Sequence, residues 1–293
     1  MGHQLAFTEQ NAERILAVQG LFGTSGKPLA KPGRVLVGEG HLLKLCRRSP
    51  QPRAFFLFND ILVYGSVVIL GRWYANQQVV ALEDVSLEDA EDGLDMKHQW
   101  LVRTPRKSFY VSAASAEEKR AWMEHIGECR AERLRRTGKP AGTRFAAVWV
   151  PDRASAVCMR CCSRFGLAQR RHHCRRCGFV VCASCSRARR VIPEISPKPV
   201  RVCRLCHQGS PPPDPPEQGA TLAGRGRGGS DGKNSSEEDE SPYEPSSGED
   251  DCEEGYAELA PAQWESQNHV RNSSWSPYVD LSNHLQISDM GNY

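Results

Sequence analysis

Between residues 33 and 112 the apolar side chains fall in short runs, several alternating with polar ones: "RVLVGEGHLLKL", "AFFLF", "ILVYGSVVI", "QQVVALEDVSLE", "WLVRT" and "SFYVS". Runs of this length, rich in β-branched and aromatic residues, predict six or seven strands of an antiparallel barrel or sandwich, with Asn59-Asp60 as a turn. The period changes after residue 114. In "SAEEKRAWMEHIGECRAERLRR", residues 115 to 136, Ala121, Trp122, His125, Ile126 and Cys129 recur at helical spacing, and Ser115 with Glu118 forms a capping box. Trp122 is expected to plug one end of the barrel. A shorter helix is expected over 8 to 19, capped by Thr8 and packed beside the strands through Ile15, Leu16 and Val18.

The longest apolar stretch, 54 to 70, is broken by Asn59 and Asp60, whereas a membrane-spanning helix needs about 20 mostly apolar residues. The start "MGHQLAFTEQ" lacks the basic and apolar regions of a secretory signal, and Ala6 stands where a myristoylation signal wants Ser or Thr. The chain is therefore expected to be cytosolic. Charge divides it into three: residues 1 to 148 hold 21 Lys and Arg against 16 acids, 149 to 210 hold 13 against 2, and 211 to 293 hold 4 against 17. Two basic units followed by an acidic stretch imply an anionic partner and an internal competitor for it. From 209 onward the sequence is rich in Pro, Gly, Ser and acids and is expected to be disordered.

Nine of the twelve cysteines cluster between 158 and 206, which in a reducing compartment points to metal rather than disulfides. Four Cys-x-x-Cys pairs stand at Cys158/Cys161, Cys174/Cys177, Cys182/Cys185 and Cys203/Cys206. Eight thiolates complete two tetrahedral Zn²⁺ sites, because two intervening residues let both sulfurs of a pair reach one ion from a tight turn. Cys162 is then a spare surface thiol. Histidine is not needed as a ligand, so "RRHHCR" and the next residue offer Arg170, Arg171, Arg175, Arg176, His172 and His173 as a compact polyanion site. Arginine gives forked, charge-assisted bonds to phosphate, and histidine can donate to hydroxyls.

"WVPD" at 149 to 152, "RRHHCR" at 170 to 175 and "RVC" at 201 to 203, around the four cysteine pairs, resemble the signature elements of a FYVE zinc finger. That resemblance implies binding of phosphatidylinositol 3-phosphate on endosomal membranes. It implies a headgroup pocket of Arg170, Arg171, His172, His173, Arg175 and Arg201, with Asp152 receiving headgroup hydroxyls. It also implies an interleaved pairing, Cys158, Cys161, Cys182 and Cys185 on one zinc and Cys174, Cys177, Cys203 and Cys206 on the other. "FGLAQ" corresponds to the membrane-insertion loop, with Leu167 and Ala168 at the tip, Phe165 in the core, and Gln169 suggesting shallow insertion that wants a second membrane contact.

Strands followed by one Trp-bearing helix resemble a pleckstrin homology (PH) domain. In that resemblance Lys44, Arg47, Arg48 and Arg53 form a basic lipid site, with Gln51 in place of a basic residue. A PH domain joined by a short linker to a FYVE finger resembles the phafin family, which implies an adaptor on endosomes and lysosomes acting in trafficking, autophagy and lysosomal apoptosis signalling. The expected architecture is multi-domain: a helical segment (1–34), a β-barrel PH domain with C-terminal helix (35–136), a linker (137–148), a small two-zinc FYVE finger (149–208) and a disordered acidic tail (209–293). A RING-type ubiquitin ligase shares cross-braced zinc but mixes histidine into its ligands. A nucleic-acid finger would want aromatic platforms beside the charge, and only Trp149, Phe165 and Phe179 are at hand. No nucleophile with an oriented base and no Gly-rich phosphate loop appears, so no catalytic activity and no nucleic-acid partner are expected.

Overall fold

The computed structural model describes residues 9–93, 96–209 and 262–264. The first helix, α1 (Glu9–Leu21), is followed by strands β1 (Leu36–Leu45), β2 (Pro50–Phe58), β3 (Ile61–Ile69), β4 (Trp73–Ala81), β5 (Ser86–Asp89), β6 (Gln99–Arg103) and β7 (Phe109–Ser112), then the long helix α2 (Ala116–Thr137). The strands pair antiparallel in the order β4-β3-β2-β1-β7-β6-β5. This is the sandwich and terminal helix of a PH domain. Its inner core is built from the inward positions of both halves, Val37, Leu42, Phe55, Leu57, Leu62, Trp100, Val102 and Val111 among them, and α2 closes one end by inserting Trp122, Ile126 and Cys129. Trp122 is fully buried, as its helical register requires.

Helix α2 starts and stops where its chemistry dictates. Ser115 Oγ accepts the Glu118 N–H at 3.1 Å, and Glu118 Oε2 accepts the Ala114 N–H at 3.0 Å, so two otherwise unpaired donors are satisfied. Gly138 ends it with φ 64°, the left-handed conformation that costs glycine little.

The run "AFFLF" in β2 is buried on both faces. Phe55 and Leu57 point into the sandwich, while Ala54, Phe56 and Phe58 point outward beneath α1, packing with Ile15, Val18, Phe22 and Leu29. A strand covered on both sides reads as a continuous apolar run instead of an alternation. The turn at Asn59-Asp60 ties this layer down. Asn59 Oδ1 accepts from the Val35 N–H, and its amide donates to the Gly33 carbonyl at 2.9 Å. Asp60 takes both arms of Arg34 at 2.7 Å each, and the Arg34 and Asp60 side chains are about nine-tenths buried.

After α2 the chain runs along the PH domain through 138 to 151 and enters the finger. Here lie β8 (His172–His173) with β9 (Val180–Val181), β10 (Arg189–Ile192) with β11 (Ser196–Arg201), and α3 (Arg204–Gln208). The finger's interior is mostly sulfur: Cys158, Cys174, Cys182 and Cys203 are buried, and the fully buried aliphatic side chains beside them are Val180, Val181 and Val202. The last described strand, β12 (Gln263–Trp264), lies on β1. The acidic clusters and the disorder expected for the tail fall outside the described residues, as does the expected cap Thr8.

Removing one partner of a buried, doubly hydrogen-bonded ion pair leaves the other charge uncompensated. Asp60→Ala should therefore lower stability by about 3–5 kcal/mol, read as a shifted urea midpoint of the PH domain, whereas trimming the exposed Arg72 should leave that midpoint unchanged.

Candidate functional site: two sulfur quartets beneath an arginine strand

The four cysteine pairs gather as Cys158, Cys161, Cys182, Cys185 and as Cys174, Cys177, Cys203, Cys206, and within each quartet every sulfur lies within 4.8 Å of the others. The pairs are interleaved along the chain. Backbone N–H groups point at the sulfurs, Cys182 N–H to Cys158 Sγ at 3.3 Å and Cys203 N–H to Cys174 Sγ at 3.2 Å. Such donors favour the anionic thiolate that a metal needs. In the second quartet they help hold the Cys174 thiol down to about 4, its bond with Cys177 being the largest contribution. An exposed cysteine, Cys162, stands outside both quartets with φ 59°.

Arg160 is a contributor that spacing did not reveal. It sits inside the first knuckle, yet its guanidinium donates to Cys203 Sγ at 3.2 Å and Cys177 Sγ at 3.3 Å of the second quartet, with its face over the Phe179 ring at 4.6 Å. A fixed cation between the two sites offsets thiolate charge and couples the quartets mechanically. The donor set, eight sulfurs with N–H donors and one guanidinium, fits two tetrahedral zinc ions of structural type.

Above the quartets, β8 carries the basic motif. His172 pairs with Val181 and His173 with Val180, which places the strand against the knuckle of Cys182. Arg170 is exposed, and Arg171 is half-buried with its guanidinium over Phe165 at 4.9 Å. Arg175 lies over the Trp149 ring at 4.4 Å and donates to the His173 carbonyl at 2.9 Å, while its own N–H is held by the Arg201 carbonyl. Arg201 donates to the Ser186 carbonyl at 3.0 Å and faces Arg189 across the β10–β11 ladder. The next loop projects outward: Gly166 N–H closes on the Gln169 carbonyl at 3.1 Å, leaving Leu167 wholly exposed (101%) and Ala168 exposed beside it. Phe165 packs partly against the sulfur core.

The two histidines differ. His172 is half-buried, whereas His173 is 2% exposed and stacked on Trp149 with ring centroids 4.7 Å apart. Its Nε2 lies 2.7 Å from the Val150 carbonyl, and burial lowers its pKa, so a neutral ring donates that hydrogen bond. His173 thus locks the "WVPD" segment onto β8. Gly178 completes the lock: at φ 75° it takes the Val150 N–H on its carbonyl, and a side chain there would overlap the Val148 carbonyl.

Asp152 meets the other domain. Arg47, in the β1–β2 loop, donates Nε to Asp152 Oδ2 at 2.9 Å and Nη2 to the Arg171 carbonyl at 2.7 Å, and its own carbonyl accepts the Asp152 N–H. Asp152 Oδ1 is buried without a hydrogen-bond partner and stands 3.7 Å from His173 Nε2. Of the four basic PH residues, then, Arg47 belongs to the junction. Arg48 is exposed, while Lys44 and Arg53 are each 3% exposed and turn towards Cys46 Sγ. The seam is extended by Ala146 N–H to the Thr104 carbonyl, the Ser108–Val148 bridge, and Lys107 over Trp149 at 4.7 Å.

A PH sandwich followed by a two-zinc FYVE finger defines a lipid-binding class of protein that works at membrane surfaces, and no described helix is long and apolar enough to cross one. The FYVE zinc finger family matches residues 148–210 and the PH domain family residues 36–131. The chain is 56% identical over 209 residues to human pleckstrin homology domain-containing family F member 1, covering 71% of this chain and 75% of the relative. Member 2 from Danio rerio is 51% identical over 209 residues, covering 71% and 85%. The solution structure of the LM5-1 FYVE domain from Leishmania major is 43% identical, covers 20% of this chain and 71% of that domain, and has a TM-score of 0.19. The chain belongs to the pleckstrin homology domain-containing family F, the phafin family. It is a phosphoinositide-binding adaptor whose FYVE finger binds two zinc ions.

Because sulfur holds the metals and arginine does not, Cys177→Ser should lower zinc content below two per chain and loosen the finger. Arg171→Ala should keep two zinc ions. Elemental analysis of both variants beside the parent checks the division.

Proposed function

We propose that the finger recognises phosphatidylinositol 3-phosphate and carries the protein to endosomal and lysosomal membranes as a peripheral adaptor. Arg170, Arg171, His172, Arg175 and Arg201 would line the headgroup pocket, with Asp152 accepting from ring hydroxyls and His173 setting the pocket's wall and offering any remaining contact. The observation that carries this reading is the juxtaposition of an arginine strand with a fully exposed leucine one turn away. A phosphate ligand in that strand lies at the depth where Leu167 and Ala168 enter the lipid surface. Arginine forks bind phosphate strongly because the bonds are charge-assisted and bidentate.

The PH domain is the second membrane contact. Its basic site is Lys44, Arg47, Arg48 and Arg53, of which Arg48 is exposed here. Use of Lys44 and Arg53 requires that end of the domain to open, since both are buried. With this lipid reading go the proposed roles in endosomal trafficking, autophagy and lysosomal apoptosis signalling, which the resemblance to the phafin family suggests. The protein acts by binding and not by catalysis.

Vesicle flotation with each monophosphorylated phosphoinositide tests the reading. Arg171→Ala should weaken binding to phosphatidylinositol 3-phosphate vesicles about 10- to 150-fold, the loss of one or two charged hydrogen bonds of about 1.5–3 kcal/mol. Leu167→Asp should weaken vesicle binding while leaving affinity for the soluble headgroup intact. Equal binding of the parent to all phosphoinositides, or to single-stranded RNA in competition, would contradict it.

A further inference from the structure

Strand β1 pairs with β2 from Leu36 to Leu45, its whole length. Its second edge pairs with β7 only at Leu43 and Lys44, so the half from Leu36 to Leu42 offers unpaired backbone on that side. Edges of this kind are ready templates for an added strand. In this chain the edge is taken by β12, with Gly38 opposite Trp264 and Glu39 opposite Gln263 in antiparallel register.

The groove beneath that edge has a defined shape. Its floor is Trp122 and His125 of α2, and Trp264 drops between them, 4.8 Å from the Trp122 ring at an edge-to-face 67° and 4.2 Å from the His125 ring. Its wall is glycine. A Cβ on Gly38 would overlap the Trp264 ring, and one on Gly40 would come within 2.9 Å of Ala262 and 3.2 Å of Trp122. Glycine inside a strand costs stability and commonly marks the close approach of another backbone; "VGEGH" places two of them on the face where β12 lies. Glu118 completes the mouth, its Oε1 accepting the Ala262 N–H at 3.2 Å while its other oxygen caps α2. Ala262 and Trp264 are each 8% exposed, and Gln263 between them is exposed.

We propose that the β1–α2 groove is a peptide-docking site of the PH domain, specific for an extended segment with a small residue two positions before tryptophan, and that its occupant is this chain's own Ala262–Trp264. Main-chain pairing with β1 supplies direction, the glycine wall admits only a small residue at the first position, and the aromatic floor selects tryptophan at the third. Docking is intramolecular, so a tethered segment outcompetes the same sequence added free, with an effective concentration of order millimolar. The β12 segment pairs with β1 at Gly38 and Glu39, whereas Arg47 lies beyond the other end of β1, nine residues from Gly38 or up to about 30 Å along an extended strand, so a peptide paired at Gly38 does not cover the β1–β2 loop.

The experiment uses the full chain and a fluorescein-labelled peptide of residues 258–268, "ELAPAQWESQN". Fluorescence anisotropy should show the peptide binding the Trp264→Ala chain at least ten-fold more tightly than the parent, because the parent's groove is already filled. Adding Gly38→Ala to that variant should abolish the gain, with circular dichroism and zinc content unchanged. A peptide with alanine in place of its tryptophan should bind neither chain, a control that does not depend on how any variant folds. Binding equal in parent and Trp264→Ala chains, absent from both, or indifferent to the peptide's tryptophan would overturn the proposal.

Discussion

The finger depends on sulfur–metal bonding in place of a hydrophobic core. About sixty residues with three fully buried valines beside their buried cysteines cannot offset the entropy of ordering the chain by apolar burial alone. Two thiolate quartets can, since structural zinc binding is itself folding free energy. Everything above the quartets inherits its position from them. Strand β8 is held against the Cys182 knuckle through β9, Arg201 follows from Cys203 two residues later, and Arg160 bridges from one quartet to the other. Because sulfur alone fills the two quartets, the arginines and histidines of the β8 motif are not drawn into metal binding and keep the packing described above, Arg175 over Trp149 and His173 on the Val150 carbonyl.

The second constraint is the seam between domains. Arg47 reaches from the PH domain to the carboxylate of Asp152 and the backbone of Arg171, while Trp149 is sandwiched between His173, Arg175 and Lys107. The side chains predicted to read lipid in the finger and one of those predicted to read it in the PH domain therefore meet in a single network. Under the proposed lipid reading, a headgroup that drew on Asp152 would compete with Arg47, which would link occupation of the finger to the setting of the β1–β2 loop.

Much of this was legible in the residues, and the reasons differ by element. The sandwich could be read from short β-rich runs and the long helix from its capping box, because both are local signals. Two zinc sites followed from four Cys-x-x-Cys pairs of the same internal spacing, while their interleaving needed the family resemblance, since spacing is equally compatible with other pairings. The double burial of "AFFLF" showed only as an apolar run until α1 supplied its cover. Arg160 stayed hidden because an arginine in a knuckle reads as surface charge. The Arg47–Asp152 pair, 105 residues apart, leaves no local pattern. "PAQW" lay hidden likewise, a tryptophan in a Pro- and acid-rich stretch whose partners, Gly38, Gly40, Trp122 and His125, lie far back along the chain.

The assignment of both metals to sulfur alone, with no histidine nitrogen among the ligands, is tested most directly by zinc K-edge X-ray absorption on the full chain. Four sulfur scatterers per zinc at about 2.3 Å, with no nitrogen shell, is the predicted result. A nitrogen shell at about 2.0–2.1 Å would place a histidine on the metal and contradict it.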